Sequence, residues 1–404
     1  MMIKEIIAKK ILNSRREQTI SVTVKTDSGN SEASAPGGIS RGKHEAQPFS
    51  FRGIDFSVGL VNTIGRQIVN KKIGIDSFED LEKIEEIVRQ IDNSIDYKFL
   101  GANSLFALEA ALLKAAALGQ KKELWQFLNE KAKVMPRLIG NCIGGGKHSR
   151  QKKKSDFQEF LFIPKTRKLF DNQFINLNAY KKAKKLLQLN DNEWNDALTD
   201  ENAFASTLNN EEILKLILNV KAQMEKQFEI KFEIGVDVAA STFWNGVNYS
   251  YKNPEMKKGR DEQIEYIADL IKRHNLAYVE DPLQEDDFSG FARLLKLTNC
   301  LICGDDLIAT QFQRLEKAIK EKSINSVIIK PNQNGSLLKT KQVIDLAKKN
   351  GISCIMSHRS GETLDNTIAD LAFAWQTEFI KTGIIGSERL AKINRLIKIE
   401  KSLE

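Results

Sequence analysis

The stretch Leu276–Leu307, LAYVEDPLQEDDFSGFARLLKLTNCLICGDDL, holds two short apolar runs that each end in acid: LAYVEDP closes on Glu280 and LICGDDL on Asp305, 25 residues later. Apolar runs this short, bounded by polar residues, read as buried strands. The segment between them has room for one loop, one helix and a second loop. The same unit recurs in both directions along the chain. FEIGVDVAAS ends on Asp237, SVIIKPNQ on Lys330, SCIMSHRS on His358 and EFIKTG on Lys381, with successive separations from Asp237 of 43, 25, 25, 28 and 23 residues. Two earlier runs, RLIGNCIGG and FQEFLFIP, bring the strands to eight. Eight strands, most followed by an amphipathic helix, is the count of a parallel β/α barrel, in which reactive groups gather at the C-terminal ends of the strands. The expected fold class is α/β, a TIM-like eight-stranded β/α barrel over residues 133–404.

Residues 1–132 have a different texture. TISVTVKTDSG and SEASAP alternate as strands do, PGGISRGKHEA is a Gly-rich connector, and helical patterns follow over roughly 57–70, 77–93 and 103–132. Strands followed by helices make an α+β unit, expected to cap the barrel.

Composition narrows the class. Of the 404 residues 41% are hydrophobic and 28% charged, with only 7 Pro and 24 Gly, which excludes a disordered or fibrous chain. The net charge of +8 suits nucleic acid, a membrane surface or a small anionic substrate, and selects none of them. The opening MMIKEIIAKKIL has no uninterrupted apolar core, and Glu109 and Lys114 interrupt SLFALEAALLKAAALG. Neither export nor a membrane span is expected, and the default location is the cytoplasm. Four cysteines are too few for a disulfide framework. Cys300 and Cys303 form a CxxC on a strand, whose alternation sends them to opposite faces as small buried hydrophobes.

In a closed barrel Asp237, Glu280 and Asp305 come from three consecutive strands and converge at the mouth. Three adjacent carboxylates repel one another, and a hard divalent cation with oxygen ligands, Mg²⁺ above all, relieves them. Separate salt bridges would be the alternative for any one acid. Lys330, His358 with Arg359, and Lys381 make the opposite wall cationic, so the mouth suits a doubly anionic substrate with metal help. A lysine beside a metal and a second ammonium can lose enough of its usual pKa of about 10.4 to act as a base. In SHRSGETLDNTIADLAFAW, Ile368, Leu371, Ala372 and Trp375 recur at helical spacing, which places Ser357–Ser360 at a strand-to-helix turn. There Arg359 offers a planar fork for phosphate and Ser360 a hydroxyl; a polar loop that merely closes the barrel is the alternative.

These motifs resemble the enolase family of Mg²⁺-dependent phosphopyruvate hydratases. The resemblance spans nearly the whole chain: ILNSRREQT, APGGISRGKHEA, GGGKH, FQEFLFIP, GVDVAAS, VEDPLQEDD, GDDL, IIKPNQNGS, SHRSGET, IKTG and SERLAKINRLIKIE. It implies reversible dehydration of 2-phosphoglycerate to phosphoenolpyruvate, with two Mg²⁺ per site. Asp237, Glu280 and Asp305 would hold the tighter ion and Ser40 would help bind the second. Sites of this superfamily pair a Lys or His base with Mg²⁺ on an ene-diolate, and the resemblance gives the base's role to Lys330. Lys381 would stabilise the carboxylate dianion, and Glu201, supported by Glu159, would protonate the leaving 3-hydroxyl. Gln158, His148 and His358 would complete the pocket, and Arg359 with Ser360 would hold the phosphate. The partner implied is a phosphorylated small molecule, with a homodimer or higher homo-oligomer in which Arg15 and Glu400 can pair across subunits.

Several positions depart from the family pattern. Asn202 and Ala203 replace two glycines beside Glu201, a change that displaces the acid if those glycines supply special backbone angles. The connector reads Gly-Gly-Ile-Ser-Arg, which adds a charge at Arg41. Arg16, Glu17 and Gln18 replace Gly-Asn-Pro. The loop SRQKKKSD after His148 is longer than usual and far more basic. Two other readings stand beside an active enolase. A superfamily relative acting on a non-phosphorylated carboxylate would carry a Lys-x-Lys that FEIGVDVAAS lacks. A catalytically impaired binding or structural protein would use KHSRQKKK against RNA or another polyanion, but that loop has no interleaved aromatics for stacking bases, so nucleic acid is not the expected partner.

Overall fold

A computed structural model describes residues 2–38 and 42–404, so Ser40 and Arg41 lie outside the described residues. Strands β1 (Ile3–Leu12), β2 (Gln18–Thr26) and β3 (Asn30–Ser34) form an antiparallel sheet in that order, with Ile6 opposite Val24 and Val22 opposite Ala33. Alternation along β2 sends Ile20, Val22 and Val24 into the core.

Helices α1 (Ile54–Asn70), α2 (Leu81–Ile91), α3 (Ala102–Gly119) and α4 (Leu124–Asn129) follow. The pattern expected over 103–132 is two helices, not one. The first stops at Gly119, Lys121 turns left-handed with φ 56°, and the second starts afresh at Glu123, whose backbone N–H donates to Gln126. Helix α3 is long and apolar enough to span a bilayer, yet it is mostly buried against β2 and β3. Glu109, which interrupts its apolar run, is fully buried and accepts the backbone N–H of Leu337 at 2.6 Å. Leu337 opens a barrel helix, so this polar residue ties the N-terminal unit to the barrel.

The rest of the chain runs β4 (Arg137–Gly144), β5 (Glu159–Lys165), α5 (Leu169–Asn190), α6 (Asn210–Phe228), β6 (Lys231–Asp237), a hairpin of β7 (Tyr249–Lys252) and β8 (Glu255–Lys258), α7 (Arg260–His274), β9 (Tyr278–Glu280), α8 (Phe288–Leu297), β10 (Leu301–Gly304), α9 (Phe312–Glu321), β11 (Ser326–Ile329), α10 (Leu337–Lys349), β12 (Ser353–Ser357), α11 (Thr367–Ala374), β13 (Phe379–Lys381) and α12 (Ser387–Leu403). Eight of these strands close a barrel in the order β4-β5-β6-β9-β10-β11-β12-β13.

The barrel is not all-parallel. Strand β5 runs antiparallel to both β4 and β6. No helix separates β4 from β5, so the chain doubles back, while α5 and α6 both fall between β5 and β6. For this strand the N-terminal end lies at the mouth, which brings Gln158 and Glu159 there. The register then sets Glu159 opposite Asp237 and Asp237 opposite Glu280, three acids in one layer on adjacent strands.

Ile139, Leu161, Ile163, Tyr278, Cys303, Ile328, Ile355 and Phe379 pack together as a separate inner cluster, while Leu138, Val279, Ile302, Val327 and Ile380 join the main core. Burial on both faces is why the barrel strands read as unbroken apolar runs. Cys303 belongs to the inner cluster and Cys300 to the main one, both as free thiols.

Candidate active site

The centre of the mouth is one ammonium among carboxylates. Lys381 Nζ, at the end of β13, lies 3.1 Å from Glu159 Oε2, 3.2 Å from Asp237 Oδ2 and 2.8 Å from Glu280 Oε2. All four side chains are buried. Burial disfavours the ammonium, but the three carboxylates outweigh it and hold Lys381 well above its ordinary value. Burial also raises the acids, Glu159 to about 7 and Glu280 to about 8, with Asp237 shifted the same way. One positive charge is too little for this cluster. Gln158 Nε2 donates to Asp237 Oδ2 at 3.4 Å.

Asp305, the third acid of the expected set, pairs with Lys330. It is not removed from the cluster, since its charge still raises Glu280 and Asp237. Burial opposes a charged Lys330, and the contact with Asp305 outweighs both that and the repulsion from Arg359 and Lys381. The lysine expected to be lowered is therefore raised in this state. Asp281 and Asp306 went unnoticed in the sequence, although they are the second acids of VEDP and GDD. Asp281 accepts the backbone N–H groups of Asp305 at 3.0 Å and Asp306 at 2.7 Å, which aims the loop after β10 at the mouth. Carboxylate oxygens of Asp281, Asp305 and Asp306 lie within 4.8 Å of one another. Hard oxygen donors, crowded and short of positive charge, fit a divalent cation.

Glu201 sits on the other side of Glu159. Its Oε2 accepts from Asn141 at 3.2 Å, its Oε1 is 3.6 Å from His148 Nδ1, and His358 Nε2 is 3.6 Å from Oε2. Burial would raise this carboxyl, but His358, His148, Arg389 and Lys381 hold it well below its usual range. With Asn202 and Ala203 in place of the two glycines, Glu201 lines the same cavity as His148 and Lys381. Asn202 does adopt a left-handed backbone with φ 62°, which asparagine tolerates, and Ala203 does not. Thr199 Oγ1 receives the backbone N–H groups of Glu201 and Ala203, and Tyr180 bonds the Asn202 carbonyl.

His148 also lies 3.2 Å from Asp200. Burial works against its charged form, and Glu201, Asp200 and Glu159 outweigh that and raise it from 6.5 to about 9. Because the folded value is raised, its contribution to stability is complete below pH 6.5 and lost as pH climbs through about 9. The raised acids Glu159 and Glu280 slope the same way, so the readout is a difference. The midpoint of thermal unfolding should fall less between pH 6.5 and 9 in His148→Gln than in the parent; identical slopes would refute the assignment. His358 is pushed the other way, chiefly by burial and against the charge of Glu201.

Arg359 does form a fork at the β12 turn, and Glu45 holds it. Nη1 is 2.8 Å from Glu45 Oε2 and Nη2 3.2 Å from Oε1. A side chain at Gly38 would collide with the same guanidinium. Glu362 accepts the Arg359 N–H and pairs with the buried Lys392 at 2.7 Å, while Arg389 donates to the Ser360 carbonyl at 2.8 Å. Glu45 and Arg389 belong to no strand end, so strand-end spacing could not reveal them. Arg15, suggested by the resemblance as an intersubunit residue, is held by Asp200 at 2.7 Å within its own chain.

Gly38, Glu45, Lys330, Ser360 and the residues around Lys381 and Glu201 line one cavity, whose open volume is ≈ 40 Å³. That is space for one or two waters, because the basic and acidic groups already pair with each other. Admitting a larger anion requires those pairs to open.

The chain matches a family described as "Enolase, N-terminal domain" over residues 3–128 and one described as "Enolase, C-terminal TIM barrel domain" over residues 132–404. It is 35% identical to a protein named Enolase from Archaeoglobus fulgidus, with 100% of this chain and 98% of that protein aligned. It is 38% identical to one of the same name from Methanosphaera stadtmanae, over 99% and 97% of the two chains, and 38% identical to one from Methanocorpusculum labreanum, over 98% of each. With a closed barrel, an N-terminal sheet-and-helix unit and an acid-and-lysine mouth, and with both family descriptions matched along its length, the chain belongs to the enolase family.

Proposed function

We propose that this chain performs the enolase reaction, dehydrating 2-phosphoglycerate to phosphoenolpyruvate reversibly in glycolysis and gluconeogenesis, with residues 133–404 as the catalytic barrel and 1–132 as its cap. The observation that carries the reading is the pairing of Lys381 with Glu159, Asp237 and Glu280, beside Lys330 with Asp305 and within one cavity with Arg359. Such a mouth can exchange its internal ion pairs for those of a substrate carrying carboxylate and phosphate together.

Arg359, with Ser360, holds the phosphate, its fork passing from Glu45 to the substrate. Lys330 abstracts the C2 proton, for which it must first lose its own proton and its hold on Asp305. The developing carboxylate dianion lies against Lys381, whose raised pKa keeps it cationic throughout. Glu201 protonates the departing 3-hydroxyl. It is ionised in this state, so its proton comes from the adjacent imidazolium of His148 or from Glu159, which burial raises to about 7. His358 and Gln158 shape the wall. Asp237, Glu280 and Asp305 are the residues that would hold Mg²⁺, with Ser40 for a second ion; when bound, the metal supplies charge neutralisation to the substrate carboxylate. The proposed location is the cytoplasm and the proposed assembly a homodimer or higher homo-oligomer.

The test is formation of phosphoenolpyruvate from 2-phosphoglycerate, followed with and without Mg²⁺. Mg²⁺-dependent turnover is expected, and its absence in folded protein would overturn the reading in favour of an impaired scaffold.

A further inference from the structure

The basic loop between β4 and β5 is not absorbed by the proposed reaction, and the structure gives it a cavity. Its base is closed by backbone bonds from Gly145 to Gln158 and from Gly146 to Ser155. Its tip is tethered where Gln151 donates to Asn195 at 2.8 Å and Lys153 meets Glu193 at 2.9 Å. Opposite stand Phe243 and the end of the β7–β8 hairpin. The hairpin is pinned to the loop by Asp156, which accepts the N–H groups of Lys252 at 2.8 Å and Asn253 at 3.1 Å, and by Asn253 Nδ2, which donates to the Lys154 carbonyl.

Between the two walls is an open volume of ≈ 640 Å³, against ≈ 40 Å³ at the barrel mouth. Small-molecule sites typically fall between about 300 and 1,000 Å³. Five lysines line it, Lys147, Lys152, Lys153, Lys154 and Lys252, against a single acid. That acid, Asp156, is buried and spends its oxygens on backbone N–H groups. The lining thus carries half of the chain's net charge of +8. Lys153 has a carboxylate partner in Glu193, but both side chains are more than half exposed, so the pair compensates little. Lys154 donates to the Ser149 carbonyl at 2.6 Å, and burial first, then the charge of Lys252, lowers its pKa. Like charges have therefore been brought together around a space large enough for a ligand. The same electrostatic argument that calls for a cation among the acids at the mouth calls for an anion here.

We propose that this cavity is a binding site for a small molecule carrying a chain of adjacent phosphates, distinct from the barrel mouth. Ammonium groups on flexible stems bind phosphate as point charges, and a run of phosphates lets several engage at once where a single phosphate engages one or two. The half-buried Phe243, packed on Tyr251 at 4.8 Å between ring centroids, supplies the only ring in the lining among the described residues. The two sources of such a chain are inorganic polyphosphate and a nucleoside triphosphate. His148 lies in the same loop, one residue beyond Lys147, with its imidazole in the mouth, so the two sites share a wall.

Calorimetric titration of the full chain with tripolyphosphate, at about 150 mM salt and without divalent cation, tests the site. One saturable binding event is expected, weakened at least tenfold in Lys152→Ala/Lys252→Ala, whose exposed positions leave thermal unfolding unchanged. Arg359→Ala should bind tripolyphosphate as the parent does. A nucleoside triphosphate in parallel distinguishes the sources: tighter binding that Phe243→Ala reduces to the tripolyphosphate level assigns a nucleotide, and equal binding assigns the phosphate chain alone. The proposal is overturned by absence of saturable binding, by undiminished affinity in the double variant, or by loss of binding in Arg359→Ala, which would move the ligand to the mouth.

Discussion

Lys330→Ala should lower kcat for phosphoenolpyruvate formation by about 10²–10⁴-fold, the range for loss of a positioned proton-transfer group. Lys330 is half-buried in the mouth and bound to Asp305, so the substitution also strands a buried carboxylate. Lys330→Arg separates the two effects. Arginine keeps a cation beside Asp305 and should hold unfolding stability near that of the parent, but it cannot give up its proton and so cannot act as a base. Stability restored without turnover is the expected pattern. Turnover that survives in either variant, measured by the absorbance of the product, would remove Lys330 from the proton-transfer step while leaving the family assignment untouched.

Lys381→Met should have the largest effect on the fold itself. Removing one partner of a buried ion pair costs about 3–5 kcal/mol, and here a single ammonium serves three carboxylates. The loss should depend on pH with a definite sign. Glu159 and Glu280 already titrate at about 7 and about 8 with the lysine present, and without it they rise further. Acids with raised folded values bind protons that the unfolded chain releases, so stability recovers as pH falls from 8 toward 5. Urea unfolding at the two pH values, without divalent cation, measures this directly. Equal losses at both would mean that Lys381 does not hold the acids together. Turnover should drop about 10²–10³-fold as well, the scale for losing one charge-stabilising donor.

Much of the architecture was legible because strand burial and strand spacing are local properties. Runs buried on both faces must be apolar throughout, and a polar residue can follow only where the barrel opens, so Asp237, Glu280, Asp305, Lys330, His358 and Lys381 announced the mouth by position. The direction of β5 was not legible. Its run FQEFLFIP has the same apolar core whichever way it points, and only the missing helix before it and the two after it reverse it. That reversal explains why Glu159, at the start of its strand, joins residues that end theirs. The single helix expected over 103–132 failed for a similar reason, since one left-handed residue at Lys121 leaves little trace in an apolar pattern.

By itself the sequence determined the eight-stranded count, the N-terminal unit of strands then helices, and which residue types would meet at the mouth, because these follow from hydrophobic period and chain order. The tertiary structure alone decided who pairs with whom there. Asp305 chooses Lys330, Lys381 gathers Glu159, Asp237 and Glu280, Arg359 turns to Glu45, and Asn202 takes a left-handed backbone. Charge partners and the pKa values they set depend on distances of a few ångströms between segments far apart in the chain, and on burial that removes water's screening. Neither quantity is written in any local stretch of residues.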